Sequence, residues 1–339
     1  MLEETVTLSQ AKDIIKSVAH EHGVLLLSQP GLGKSDIVAQ AAMESGLPVR
    51  SLLGTQIAPE DVSGIPRIIG ERSVFCPPRV LLPEIPEPFC LFLDELPAAA
   101  PDVQKSLYSL LLERRLGEHL LPPGTWVVSA GNRMEDRALV RSISSALINR
   151  VIVLHVKSDL QEWLIWAKAN GIRGEILAFI LFMPEVLLRP VPTSPVPFST
   201  PRSWALLSKA LDLVEERDML TPEICRALAF GRLSAEDAAL FSSLDFSGIS
   251  PNIMPADCIL NPGLLPKEDS GKWLILSLIR KMAARDELTQ FTPKQIYHFL
   301  KSLPEEHRFA LFIDLVPIWG KLGASELMLT SLERLMGVV

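Results

Sequence analysis

Residues 23–35 read Gly23-Val24-Leu25-Leu26-Leu27-Ser28-Gln29-Pro30-Gly31-Leu32-Gly33-Lys34-Ser35. An apolar run suited to a buried strand enters a loop with two glycines, and helical periodicity starts at Lys34. Strand, glycine loop, Lys-Ser and helix is a phosphate-binding loop pattern, with Ser28 where the first glycine usually stands. Glycines let successive backbone N–H groups curl around phosphate oxygens, and the helix N-terminus adds its dipole. On this reading Gln29, Pro30, Gly31, Leu32 and Gly33 wrap the phosphates. Lys34 bridges the β- and γ-phosphates, and the Ser35 hydroxyl binds Mg²⁺. The competing reading is an ordinary glycine turn that opens a helix. The apolar strand before it and the intact Gly-Lys-Ser end argue against that.

Working outward, Ala11, Ile14, Ile15 and Val18 recur at helical spacing ahead of the loop. After it come further strand candidates at 49–53, 89–93, 125–129 and 151–154, with helical patterns between them. Phe89-Cys90-Leu91-Phe92-Leu93 is apolar throughout, as a parallel strand covered on both faces must be. Alternating strands and helices predict an α/β fold, a parallel nucleotide-type sheet with right-handed crossovers and helices on both faces. From about residue 158 strand signals stop. Helical periods follow at 159–170, 173–183 and 202–216, broken by a proline-dense connection at 184–201. Prolines between 251 and 266 precede a last helical region, about 270–339. The expected layout is an α/β nucleotide-binding domain at 1–157, a helical domain at 158–217, and a helical C-terminal region at 218–339.

Two acids close the third strand, in Leu91-Phe92-Leu93-Asp94-Glu95. In isolation such acids read as a helix cap or a solvated turn. Behind a phosphate loop, Asp94 is placed to hold Mg²⁺ beside Ser35, and Glu95 to activate the attacking water. Both acids together favour a hydrolysing ATPase over a passive nucleotide binder. Asn132, after the strand Val127-Val128-Ser129, is a polar amide able to position that water, or an Asn in a turn. Arg150 closes a helix before the fifth strand, either as an arginine finger for a neighbouring subunit or as a cation offsetting the helix dipole. Thr200-Pro201-Arg202 reads as a cap, a proline at the first helical position and an arginine in the first turn. A cation is unfavourable at a helix start, which suggests that Arg202 answers to an anion.

Composition bounds the class. The 339 residues are 48% hydrophobic and 22% charged, enough for large cores and incompatible with disorder. A net charge of −7 argues against a dedicated nucleic-acid binder. Apolar runs fall short of the roughly 20 residues a bilayer requires, and the acidic start is unlike a signal peptide. Cys76, Cys90, Cys225 and Cys258 have no metal-type spacing and read as buried small apolar residues in a reducing compartment. The expectation is a soluble, cytoplasmic protein with no metal site beyond Mg²⁺.

The order phosphate loop, Asp94-Glu95, Asn132, Arg150, Arg202 resembles the AAA+ ATPases. Finer marks are similar to their MoxR-like branch, which carries an insert in its second helix. Glu60-Asp61-Val62-Ser63-Gly64 matches the segment preceding that insert, placing insert hairpins near 64–76, with a turn at Gly70, and near 115–124. Two stretches depart from the family: Pro97 stands where Asn is frequent, and Asn149-Arg150-Val151 replaces Asp-Arg-Phe, leaving Arg141 as a fallback finger. The resemblance implies ATP with Mg²⁺ as cofactors, a helical lid, and a homo-oligomeric ring, commonly a hexamer. It implies a chaperone-like motor acting on a protein client, often with a partner carrying a von Willebrand factor A domain. Client contacts would fall at Arg67, Ile68 and Ile69 and at Leu116 to His119. Two other readings stay open. One is a nucleic-acid motor, supported by Arg67, Arg72, Arg114 and Arg115 and opposed by the net charge and an aromatic content of 6%. The other is a nucleotide-gated assembly subunit with little turnover. Trp273, Phe299, Phe309, Phe312 and Trp319 read as core of the C-terminal helices.

Overall fold

A computed structural model describes residues 4–82, 86–116, 119–133, 145–243, 255–267, 269–284 and 287–315. Within them the strands are β1 (Thr5–Val6), β2 (Gly23–Ser28), β3 (Val49–Leu53), β4 (Ile65–Ile69), β5 (Arg72–Cys76), β6 (Cys90–Asp94), β7 (Arg115–Leu116), β8 (His119–Leu120), β9 (Trp126–Asn132) and β10 (Val151–Val156). Six of them form one sheet in the order β1-β10-β2-β9-β6-β3. Every pairing in it is parallel. The five strands expected from the sequence are present, and β1 is an addition at one edge. The connections cross over through helices, the first two being α1 (Leu8–Val18) and α2 (Lys34–Glu44).

Alternation along the strands builds a core on each face. Val24, Leu26, Cys90, Phe92 and Val128 pack with Ile15, Val38 and Ala41 of α1 and α2. Their neighbours Leu25, Leu91, Leu93 and Val127 point the other way, against Leu107, Leu110 and Leu111. Adjacent residues on a strand face opposite sides, so a strand apolar at every position must be covered twice. Burial pushes the Cys90 thiol up to about 12. The fold is therefore a parallel sheet sandwiched by helices, of the P-loop NTPase type.

Two hairpins stand apart from this sheet. In the first, β4 and β5 pair antiparallel from Ile65↔Cys76 to Ile69↔Arg72, turning at Gly70 with φ 64°. Ile65, Ile68, Ile69 and Phe75 are exposed on it. Gly64 begins it under constraint, because a Cβ there would lie 2.2 Å from the Cys76 carbonyl oxygen. In the second, β7 pairs with β8. The two are joined by a 3.0 Å hydrogen bond between His119 Nε2 and the Phe75 carbonyl.

The chain divides into two compact units, one formed by residues 1–163 and 188–203, the other by 164–187 and 204–339. The proline-dense connection thus sits largely in the first. The second unit is helical in its described residues. Phe179, Trp204 and Phe241 form an aromatic trio in it, with ring centroids 5.5–5.8 Å apart. Phe299 and Phe312 are core there, packed with Cys258 and Ile279. The side chains of Trp273, Phe309 and Trp319 lie outside the described residues. Among the described residues, no helix is long and apolar enough to cross a membrane.

Candidate functional site

The site lies where the parallel strands end. Ser28 closes β2, and the loop from Gln29 to Gly33 leads to Lys34, the first residue of α2. Gly31 and Gly33 have φ of 77° and 106°, a left-handed backbone that a side chain would strain. No side chain caps the start of α2, whose N-cap is Gly33. Lys34 is buried, and its ammonium donates to Ser28 Oγ at 2.9 Å, the Gln29 carbonyl at 3.1 Å and Asn132 Oδ1 at 3.2 Å. Asn132 reaches it because β9 lies beside β2, with Ser28 and Asn132 in register.

Ser35 Oγ donates to Asp94 Oδ2 at 3.0 Å, bringing together two hard oxygen donors from α2 and β6. Magnesium takes oxygen ligands and keeps several waters, usually with one or two carboxylates plus substrate phosphates. Ser35 and Asp94 fit that requirement.

Glu95 follows with φ 53°, and its backbone N–H donates to Asp94 Oδ1 at 2.9 Å. The left-handed residue turns the chain sharply at the strand end. Thr55 Oγ1, after β3, donates to Glu95 Oε2 at 3.1 Å. The Gly54 N–H, donating to the Asp94 carbonyl at 2.8 Å, holds that segment in place. Sequence reading missed Thr55, since nothing local marks it. The contact arises only because β3 pairs with β6. Pro97, where a polar partner for Glu95 would stand in the family, packs on Gly131 instead. A Cβ on Gly131 would approach the proline ring to 2.2 Å.

Thr200-Pro201-Arg202 also comes to the loop. The Arg202 N–H donates to the Gly31 carbonyl at 3.0 Å, and a Cβ on Gly31 would meet Thr200 Oγ1 at 2.5 Å. Arg202 itself is exposed.

Arg150 is placed elsewhere. It immediately precedes Val151, which pairs with Gly23 at the start of β2. Five residues at about 3.3 Å each separate Gly23 from Ser28, putting Arg150 roughly 17 Å from the loop end of the strand. Its guanidinium lies over the Tyr108 ring, 5.2 Å from the centroid. Arg141 lies outside the described residues, as do Gly117 and Glu118 of the second hairpin. Lys34, Ser35, Asp94, Glu95, Asn132 and the Arg202 backbone are thus gathered at the C-terminal edge of the sheet, where open parallel sheets bind ligands.

Residues 23–161 match the model of the AAA domain of the dynein-related subfamily. Midasin from Giardia intestinalis is 29% identical over 193 residues, 53% of this chain but only 4% of midasin. Solved structures with a similar course include a Thermotoga maritima RuvB mutant, with a TM-score of 0.41 and 17% identity over 87% of this chain and 79% of that one. Another is a putative ATPase from Cytophaga hutchinsonii, with a TM-score of 0.36 and 16% identity over 68% of this chain and 84% of that one. The similarity to an AAA domain thus spans residues 23–161, which include Lys34, Ser35, Asp94, Glu95 and Asn132.

Proposed function

We propose that the protein is a MoxR-like AAA+ ring ATPase that remodels a protein client, working with a partner of the von Willebrand factor A type. The observation that carries the ATPase half is the convergence of Lys34, Ser35, Asp94, Glu95 and Asn132 at one sheet edge. Lys34 neutralises phosphate charge, and the loop N–H groups hold the phosphate oxygens. Ser35 and Asp94 would hold magnesium, which would supply positive charge against the nucleotide's phosphates. Glu95, once released from Thr55, accepts the proton of the attacking water, and Asn132 orients that water.

Arg150 supports the ring. At roughly 17 Å from its own loop it is too far to touch its own nucleotide, so a role as an arginine finger requires a second copy of the chain. Arg202, tied through its backbone to Gly31, is the arginine next to the nucleotide loop of its own chain.

The exposed Ile65, Ile68, Ile69 and Phe75 on the first hairpin favour a protein client over nucleic acid. Arg67 and Arg72, exposed on the same hairpin, are what a nucleic-acid motor would use. Turnover stimulated by DNA and abolished by salt would select that second reading.

Subunit mixing tests the ring. Arg150→Ala and Glu95→Gln are each expected to be nearly inactive alone. Mixed, they form interfaces with an intact Glu95 from one chain and an intact Arg150 from the other, so turnover returns. No recovery would remove the trans-acting arginine. For the client, Glu95→Gln should retain a von Willebrand-type protein from native cells that Lys34→Ala does not.

A further inference from the structure

The loop departs from its usual pattern at Ser28, and the structure shows what the departure supplies. Ser28 is fully buried and its φ is not in the left-handed region, so the backbone does not demand glycine there. Its hydroxyl donates its single proton to the Gln29 carbonyl at 2.9 Å. That leaves the oxygen lone pairs to face Lys34, whose ammonium donates to them at 2.9 Å, closer than to Gln29 O, Asn132 Oδ1 or Ser28 O at 3.1, 3.2 and 3.3 Å.

We propose that Ser28 is a positioning residue, anchoring the Lys34 ammonium from the strand side so that an incoming phosphate oxygen displaces only Asn132. A lysine stem is flexible, and an ammonium on a free stem loses considerable rotamer freedom when it is ordered. The Ser28 hydroxyl meets much of that cost before nucleotide arrives. It also leaves the contact to Asn132, a side chain from the neighbouring strand β9, as the one that phosphate replaces, and the amide of Asn132 is then released toward the attacking water. Filling the site thereby frees a group the reaction needs. The inference rests on the reading that Lys34 contacts the nucleotide's phosphates.

Steady-state turnover against ATP concentration, with direct ATP titration and thermal unfolding, tests it on Ser28→Ala and Ser28→Gly. Lys34→Ala is the control. Loss of one hydrogen bond to a charged group predicts a KM and a dissociation constant raised about tenfold in both variants. The change in kcat stays within about twofold, and the unfolding midpoint falls by a few degrees at most, from loss of the same bond. Unchanged KM in either variant overturns the proposal, and Ser28→Gly is the sharper case because it restores the common motif. A KM that returns to the native value when the variants are assayed well below their unfolding midpoint also overturns it, by showing a packing role. If Lys34→Ala binds ATP normally, the underlying reading fails as well. If only Lys34→Ala loses ATP, the proposal alone is lost.

Discussion

The Ser35 hydroxyl donates to the Asp94 carboxylate across 3.0 Å, joining the first turn of α2 to the last residue of β6. Asp94→Asn keeps the shape and removes the charge that a divalent cation needs. The magnesium concentration giving half-maximal turnover should rise at least about tenfold. An unchanged magnesium midpoint would dissociate Asp94 from the metal.

Thr55 holds Glu95 by one hydrogen bond, donated from its hydroxyl to Oε2. Thr55→Val removes the hydroxyl with little change in volume. The carboxylate is then free to accept from water, and basal turnover should rise about threefold without a change in ATP affinity. Equal or lower turnover would mean that Thr55 holds Glu95 in its working position.

Arg150 stacks on Tyr108, so truncation and platform loss should act alike. Arg150→Ala should retain ATP binding and cut turnover by about 10³-fold, the scale of an arginine finger. Tyr108→Leu should produce a smaller loss of the same kind, and Tyr108→Phe almost none. Undiminished turnover in Arg150→Ala would move the role to another arginine.

Thiol labelling separates the cysteines. Cys76 is exposed on β5 and should label within minutes near pH 8, whereas Cys90 and Cys258 are buried. Burial pushes both buried thiols up to about 12, with Asp257 adding to the effect at Cys258. A folded value above the unfolded one means the stabilisation is complete below about pH 8.5 and is lost as pH climbs toward 12. Denaturation midpoints followed from pH 8 to 11 should therefore fall. Rapid labelling of Cys90 in the folded protein would contradict the burial.

Much of this was legible in residue order. The strand-loop-helix around Lys34 is a local signal, because glycines with positive φ, an apolar strand and a helix start must be contiguous. Phe89 to Leu93 declared its double burial by lacking any polar position. Gly70 marked the turn of the first hairpin. Strand β1 was hidden because two residues carry no period, although Thr7 and Gln10 form a capping box that marks where α1 starts. Thr55 was hidden for a different reason. Its partner is 40 positions away and meets it only through the β3–β6 register. Pro97 looked like a missing polar group until its packing on Gly131 was visible.

We propose that ATP is hydrolysed at this sheet edge with Glu95 as the base. The most direct test compares ATP binding and magnesium-dependent phosphate release for the native chain and Glu95→Gln. Retained ATP binding with phosphate release reduced at least about 100-fold is the predicted result. Phosphate release at the native rate from Glu95→Gln would contradict the account.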